Sequence, residues 1–255
     1  MNKKVKLIIV ASAAVILLAA ALVIGLAAGS TKAGQPDYDI PAVAGLPEEY
    51  QIKGVEASRQ DTLKAGCETH ACTSLLRSLG YDIDEITFAN VYLDCHYVYE
   101  DEDGQKFGPD MNSAFAGTAY AGWGIYAPAM ARCMNDYLRD AKSGQKAYVI
   151  EAHSLKELCE EYVVNDIPVM VWATTDMQEP EPMELWKVNY VDENAKYKEG
   201  EIFTWMFHEH CLVLCGYDAK DYYFSDSVVG GISHFEKSVS EKRFEQLGYQ
   251  AIVVK

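Results

Sequence analysis

The chain of 255 residues has room for one sizeable domain, and its acidic composition argues against one class of partner. It has 38 acidic and 22 basic residues, which give a net charge of −16 at pH 7. Nucleic-acid binding needs a basic surface, so no nucleic-acid partner is expected. The acidic surface is compatible with neutral or basic peptides, although solvation alone explains it.

The N-terminal segment predicts a membrane anchor. Residues 7–28 carry no charge and reach the roughly 20 residues that span a bilayer. Three lysines precede them, which favours a cytoplasmic N-terminus and an exported remainder. The apolar stretch is longer than the roughly 7–15 residues of a cleaved signal peptide, although small residues at its end could permit cleavage. We therefore predict an uncleaved single-pass anchor at 1–28, a tether at 29–50, and one domain at 51–255 outside the cell membrane.

The first half of this domain predicts mainly helices. Apolar residues recur at helical spacing from Cys67 onward, and Gly80 supplies a C-terminal stop. Further helices are predicted at 83–92, opening at Asp82 or Asp84, and at 127–141. The glycine-rich stretch 108–124 is predicted to be a long loop.

The second half predicts mainly strands. Strands are expected at 146–150, 168–173, 210–217, 222–225 and 250–254, with helices from Ser154 to about 165 and from Ser238. The polar stretch 175–200 is predicted to be a long surface loop. Helices followed by strands predict an α+β fold.

Cys67 is the candidate nucleophile. It lies at the predicted start of a helix, where free amides and the helix dipole favour thiolate over thiol. Gln60, seven residues upstream, could donate its side-chain amide to an oxyanion. A buried structural cysteine is the alternative interpretation.

A thiol nucleophile needs a base and a group that orients the base. The six candidate bases are His70, His96, His153, His208, His210 and His234. His70 is on the same helix as Cys67 and has little room to move toward a leaving group. His210 opens a predicted buried strand, and Asp226 ends the neighbouring strand, where it could accept the second imidazole N–H. Asp94 and Asp221 are alternatives for the third role.

The other cysteines leave two questions open. Removing one catalytic thiol from seven leaves six, which could form disulfides or stay reduced. Zinc could use Cys67, His70 and Cys72, or His208 and His210, but neither set has the paired C-x-x-C spacing of a structural site. We therefore predict no metal and no cofactor.

These motifs resemble the family thirty-nine cysteine peptidases, and more narrowly the peptidase C39-like domain of exported bacterial proteins. The resemblance rests on Gln60, Gly66-Cys67-Glu68, Trp205, the stretch 210–218, Asp226 and Gly230. It implies a papain-like fold, with Cys67 on a helix N-terminus and an antiparallel C-terminal sheet that carries His210 and Asp226. It also implies Cys67 as nucleophile, His210 as base, Asp226 as its orienting group and Gln60 as oxyanion donor. Ser227 stands where the family often has proline, and we expect it to loosen that turn.

The resemblance implies a thiol peptidase that hydrolyses peptide or protein substrates. Two other classes remain open on the sequence. A transglutaminase-like or cell-wall amidase enzyme would use the same residues, and a non-catalytic peptide-binding module would show no thiol reactivity.

Overall fold

A computed structural model describes residues 46–255 of the chain, which lie within one compact unit. The predicted anchor and most of the predicted tether lie outside these residues. Within 46–255, no helix is both long and apolar enough to cross a bilayer. Regular structure begins at Tyr50, one residue before the predicted start of the domain.

The described residues form helices and strands in a mixed order. The helices are α1 (Cys67–Ser78), α2 (Glu85–Val91), α3 (Ala127–Asp140), α4 (Leu155–Glu161) and α5 (Lys237–Gln246), with short 3₁₀ turns at Val163–Asn165 and Thr175–Met177. The strands are β1 (Tyr50–Gln51), β2 (Cys95–His96), β3 (Tyr99–Glu100), β4 (Lys106–Pro109), β5 (Phe115–Thr118), β6 (Ala121–Gly124), β7 (Ala147–Glu151), β8 (Val169–Thr174), β9 (Glu181–Tyr190), β10 (Ile202–Phe207), β11 (Glu209–Tyr217), β12 (Asp221–Asp226), β13 (Gly231–Glu236) and β14 (Gln250–Val254). The predicted α+β class is confirmed.

The largest sheet is antiparallel and consists mainly of strands from the second half of the chain. Its strands run in the order β13-β12-β11-β8-β14-β7, and β1 pairs with the last two residues of β11. Every residue of β11 is buried, because β8 and β12 flank it and helix α1 packs on it. Its continuous apolar run is typical of a strand covered on both faces.

Helix α1 is the buried helix of the domain. Its first ten residues, from Cys67 to Leu76, are all buried. Leu75 and Leu76 have no exposed surface and join the main core with strands β8 and β11. Burial on every side of this helix fixes its position against the sheet.

Two smaller sheets correct the loop predictions. The stretch 108–124 contains the end of β4 and all of β5 and β6 instead of one long loop. Gly117 and Gly122 allow this, because a Cβ on Gly117 would lie only 2.6 Å from the Cα of Gly122. The glycines thus let strands β5 and β6 approach closely. These strands have no hydrophobic pattern, and for this reason the sequence did not predict them.

The predicted loop at 175–200 is also wrong over much of its length. Strand β9 occupies ten of these residues and pairs with β10 and, in parallel, with β4. Only Trp186 and Val188 of β9 are buried, against Phe203 and Met111 in a second small core. A strand with one sparsely apolar face gives a weak periodic signal, and for this reason its sequence appeared irregular.

Candidate functional site

Helix α1 presents Cys67 as its first residue, as predicted. Gly66 precedes it as the N-cap and supplies no side chain to cap the first turn. A Cβ on Gly66 would lie 2.8 Å from the Cβ of Leu63, so close packing of the preceding turn requires glycine. The thiol therefore lies at an uncapped helix N-terminus, where backbone amides are available to an anion.

Strand β11 begins at a sharp change of chain direction. His208 separates β10 of the four-stranded sheet from β11 of the large sheet and has a left-handed φ of 70°. Its carbonyl accepts a hydrogen bond from the backbone N–H of Thr175, at 2.8 Å. This turn holds Glu209 and His210 in place at the start of a rigid, buried strand.

His210 and Asp226 face each other at the same end of neighbouring strands. His210 Nε2 lies 3.0 Å from Asp226 Oδ1, and both side chains are almost completely buried. Asp226 also accepts hydrogen bonds from the Val228 backbone N–H and the Ser233 hydroxyl, each at 2.9 Å. Burial alone would raise the pKa of Asp226, but the bonds from His210, Val228 and Ser233 outweigh burial and hold it below its usual value.

An ionised Asp226 also decides the imidazole tautomer. Because an ionised carboxylate can only accept, His210 Nε2 must carry the hydrogen of their bond. In the neutral ring, Nδ1 is then left with a lone pair and can accept a proton. His210 and Cys67 line one cleft.

The sulfur of Cys67 lies beside strand β11. The backbone N–H of Cys211, the residue after His210, acts to lower the pKa of this thiol. The thiol donates to Glu68 Oε2 at 3.3 Å. Burial raises the pKa of Cys67 well above that of a free cysteine, and the carboxyls of Glu68 and Glu209 raise it further.

The direction of this pKa shift corrects the sequence-based expectation of an acidic thiol at Cys67. Helix-terminal position favours the thiolate by a modest amount, whereas full desolvation disfavours it strongly. The resting form is therefore the neutral thiol. Any nucleophilic attack has to be accompanied by transfer of its proton.

Glu68 and Glu209 form a buried acidic pair beside Cys67. Ligand atoms of these three residues lie within 4.8 Å of one another. Burial raises the pKa of Glu68 to about 7, although its Oε1 accepts the Ile125 backbone N–H at 2.8 Å. Burial also raises the pKa of Glu209 well above normal, and the Glu68 carboxylate adds to the rise.

Gly124 makes room for this acidic pair. A Cβ on Gly124 would lie 2.3 Å from Glu68 Oε1 and 3.1 Å from Glu209 Oε2. Its φ of 124° is also one that side-chain-bearing residues rarely adopt. The glycine at the end of β6 therefore sets the distance at which the two carboxyls can meet.

Gln60 borders the cleft and is tied to the turn that follows Asp226. Its backbone N–H donates to the Ser227 carbonyl at 2.8 Å, and its side-chain Oε1 accepts from the Ser227 hydroxyl at 2.9 Å. Gln60 Nε2 donates to the Lys64 carbonyl at 2.9 Å, which leaves its second hydrogen for another acceptor. Ser227 thus links this turn to Gln60 through its hydroxyl.

The other candidate bases and acids have separate surroundings. His70 is buried against Ser58 and Glu85, with its Nδ1 2.8 Å from the Ser58 hydroxyl. The remaining histidines contact aromatic rings: His96 with Tyr190, His153 with Tyr249, His208 with Phe207, and His234 with Tyr223. Asp94 pairs with Arg132, and the backbone N–H of Asp221 bonds to the Asp218 side chain. Asp226 is thus the acid that meets His210.

The cleft beside Cys67 measures about 450 Å³ and is open to solvent. Trp123 and Trp205 are half-buried in its walls, and Arg59, Asp61 and Lys64 are exposed at its rim. All seven cysteines are free thiols, and Cys67 is the one that lines this cleft. An apolar wall with a charged rim is typical of a site that binds an extended organic ligand.

Comparison with known proteins assigns the family. The model of the Peptidase C39 like family matches residues 49–252. The chain belongs to this family. The uncharacterized protein YvpB of Bacillus subtilis strain 168 is 25% identical over 191 residues, which cover 74% of this chain and 68% of YvpB.

A solved structure supports the fold of this C39-like chain. A Bacillus anthracis protein with the provisional description of C39-like peptidase superposes with a TM-score of 0.64 and 23% identity. The match covers 82% of this chain and 98% of the other. At this identity the likeness supports the fold alone.

The sequence does not predict the acidic pair, Glu68 and Glu209, of this C39-like site. The sequence marks Glu68 only as part of the Gly66-Cys67-Glu68 motif, and no motif marks Glu209. The available signal was position: each glutamate is a direct chain neighbour of a candidate catalytic residue, Cys67 or His210. Their mutual contact depends on how α1 packs on β11, which no local pattern specifies.

The close approach of the Glu68 and Glu209 carboxyls to Gly124 predicts an effect on stability. We expect Gly124→Ala to lower the free energy of unfolding by about 2 kcal/mol or more, because the new Cβ meets Glu68 at a disfavoured φ. In a domain of this size the thermal midpoint should fall by about 4–8 °C. Thermal unfolding followed by circular dichroism measures this.

Gly144→Ala is the matched control. A Cβ there would have no neighbour within 4 Å, so its effect should stay within about 0.5 kcal/mol. Equal midpoints for the two variants would contradict the tight approach of the carboxyls to Gly124.

Proposed function

We propose that this chain is an exported, membrane-anchored cysteine peptidase of papain-like fold that uses Cys67, His210, Asp226 and Gln60. The observation that carries the proposal is the 3.0 Å hydrogen bond between His210 Nε2 and Asp226 Oδ1 beside a thiol that lines the same cleft. Nucleophile, base and orienting acid are the three parts that thiol acyl transfer requires.

In the first step, the Cys67 sulfur attacks the carbonyl carbon of a peptide bond while its proton passes to His210 Nδ1. Coupling the two events is needed because burial raises the pKa of Cys67 and keeps it a thiol at rest. The resulting imidazolium lies against Asp226, whose negative charge stabilises it. No free thiolate has to accumulate before substrate binds.

The negative charge on the former carbonyl oxygen needs donors. The backbone N–H of Cys67, at the start of α1, and the second amide hydrogen of Gln60 are the candidates. Ser227 supports this role of Gln60 because it holds the amide oxygen and so orients the NH₂ group. Gln60 is then both a donor and a link to the turn after Asp226.

The second half of the reaction returns the enzyme to its starting state. His210 gives its proton to the departing amine as the C–N bond breaks, which leaves a thioester on Cys67. Water then attacks the thioester, with His210 as base, and the thiol is restored. A peptide is the expected substrate because the cleft has apolar walls at Trp123 and Trp205 and a charged rim.

A digest of a peptide library by the purified chain, analysed by mass spectrometry, tests this function. Cys67→Ala should abolish cleavage, and His210→Ala should lower the rate by about 100-fold or more because the general base is lost. Asp226→Asn should give an intermediate loss. His234→Ala, an exposed histidine on β13, should keep full activity.

The same digest separates the alternatives. An amine such as glycinamide added to the reaction would be joined to the peptide by a transglutaminase-like enzyme, whereas a hydrolase gives mainly free acids. Muropeptide cleavage without cleavage of linear peptides would indicate an amidase. Library peptides that stay intact, or a His210→Ala variant as active as wild type, would contradict the proposal.

The membrane anchor is a prediction from residues 7–28, whose uncharged run follows three lysines. We expect the full chain expressed in a bacterium to stay in the membrane after an alkaline wash, with its domain accessible to protease added outside. A chain with 7–28 deleted should be found in the soluble fraction. A mature protein that starts near residue 30 would contradict an uncleaved anchor.

A further inference from the structure

The acidic pair beside Cys67 has no cationic partner within the described part of the chain. No salt bridge among residues 46–255 involves Glu68 or Glu209, although both carboxyls are buried. Buried carboxyls are costly unless they are protonated, paired with a cation or bound to a metal. Proton sharing is one solution, and a bound cation is the other.

Glu209 supplies an independent sign of a missing ligand. Its Oε1 is buried and has no hydrogen-bond partner among the described residues, and the side chain as a whole is only 8% exposed. Buried polar atoms without a partner are uncommon and often mark the place of an ion or water. Glu209 also lines the cleft, so an ion has a route from solvent.

We propose that Cys67, Glu68 and Glu209 form a binding site for a thiophilic divalent cation, with Zn²⁺ as the natural class. The donor set is one sulfur and two carboxylate oxygens, which are ligands that Zn²⁺ accepts. This set differs from the cysteine and histidine groups considered on the sequence, because Glu68 and Glu209 are in neither of them. A fourth ligand such as water can reach the ion from the cleft, which Cys67 and Glu209 line.

The distances require only small adjustments. Tetrahedral zinc with Zn–S near 2.3 Å and Zn–O near 2.1 Å places its ligands roughly 3.4–3.6 Å apart. Cys67 Sγ and Glu68 Oε2 are already 3.3 Å apart, and all three ligand atoms lie within 4.8 Å. The 4.8 Å limit exceeds the tetrahedral separation by about 1.2–1.4 Å, which movement of a carboxylate side chain can close. Gly124 leaves the space in which both carboxyls turn toward the ion.

Binding exchanges protons for the cation. The Cys67 thiol and any protonated carboxyl of the pair release their protons to water, and no electron is transferred. The acidic surface, with a net charge of −16, raises the local cation concentration and so favours entry. Because the ion occupies Cys67, it inhibits peptide cleavage reversibly; this consequence alone rests on the proposed function.

Titration of the reduced full chain with Cd²⁺ tests the site directly. Cd²⁺ is a thiophilic probe whose bond to a thiolate gives an ultraviolet charge-transfer band. We expect one Cd²⁺ per chain with a band that disappears in Cys67→Ala. Glu68→Gln and Glu209→Gln should each weaken binding at least about tenfold, as loss of a ligand does. The amide that replaces the Glu68 carboxyl keeps an acceptor for the Ile125 N–H, and circular dichroism establishes folding of each variant.

Asp61→Asn is the matched control, since it removes one negative charge from the rim of the same cleft. Its Cd²⁺ affinity should match that of wild type within about twofold, because long-range charge effects of exposed groups are screened. If Glu68→Gln does not fold, the comparison of Glu209→Gln with Asp61→Asn decides.

Several results would overturn the site. They are a wild-type chain without the band, a band unchanged in Cys67→Ala, and glutamine variants that bind Cd²⁺ as tightly as wild type. Binding lost only in His210→Ala would place the ion between thiol and imidazole and would equally overturn it. A chain that binds Cd²⁺ as expected but cuts no peptide would keep this site while the proposed function fails.

Discussion

The start of helix α1 packs against the start of strand β11, and the candidate site depends on this contact. Each segment contributes consecutive residues, Cys67 and Glu68 on the helix and Glu209, His210 and Cys211 on the strand. Ligand atoms of Cys67, Glu68 and Glu209 lie within 4.8 Å of one another across this contact. One docking geometry therefore sets the proposed nucleophile, the proposed base and the acidic pair together.

The pKa values of the site's carboxyls are shifted in opposite directions. Hydrogen bonds keep the pKa of Asp226 below its usual value, whereas burial raises the pKa of both Glu68 and Glu209. Environments that separate the pKa values of neighbouring acids commonly assign them different roles. Asp226 is suited to stabilise an imidazolium ion, whereas Glu68 and Glu209 keep their protons to higher pH than ordinary carboxyls do.

The turns around the site link these groups further. His208 holds the entry to β11 in a left-handed conformation, and Ser227 joins the turn after Asp226 to Gln60. The proposed oxyanion donor is thus tied to the acid that orients the proposed base. A substitution at Ser227 would therefore affect both groups, although Ser227 itself transfers no proton in the proposed mechanism.

The sequence predicted the elements that have strong local patterns. Helix α1 begins at Cys67 as expected, α2 is capped by Asp84, and β14 covers 250–254. Local patterns did not predict strands β5 and β6, which pair closely through Gly117 and Gly122. They also did not predict β9, which has one narrow apolar face. These strands depend on partners distant in the chain, which local periodicity does not report.

Part of the site could also be predicted, because it depends on strands that have strong local patterns. His210 is near the start of one strand and Asp226 ends its antiparallel partner, so the sequence predicts that they lie at the same edge of the sheet. In the structure, His210 Nε2 lies 3.0 Å from Asp226 Oδ1. Their catalytic roles stay predictions. The raised pKa of Cys67 was not predictable from its helix-terminal position, because it depends on burial and on Glu209, more than 140 residues away in the chain.

The rate at which iodoacetamide modifies each cysteine of the native chain tests the central claim, that His210 activates Cys67, most directly and without a substrate. Peptide mapping by mass spectrometry gives the seven rates. Cys67 should react first, because it lines the cleft, and its rate should fall at least about tenfold in His210→Ala, since the proton acceptor is lost. His234→Ala should leave the rate unchanged. Faster modification of half-buried Cys95, or a Cys67 rate that is the same with and without His210, would contradict the account.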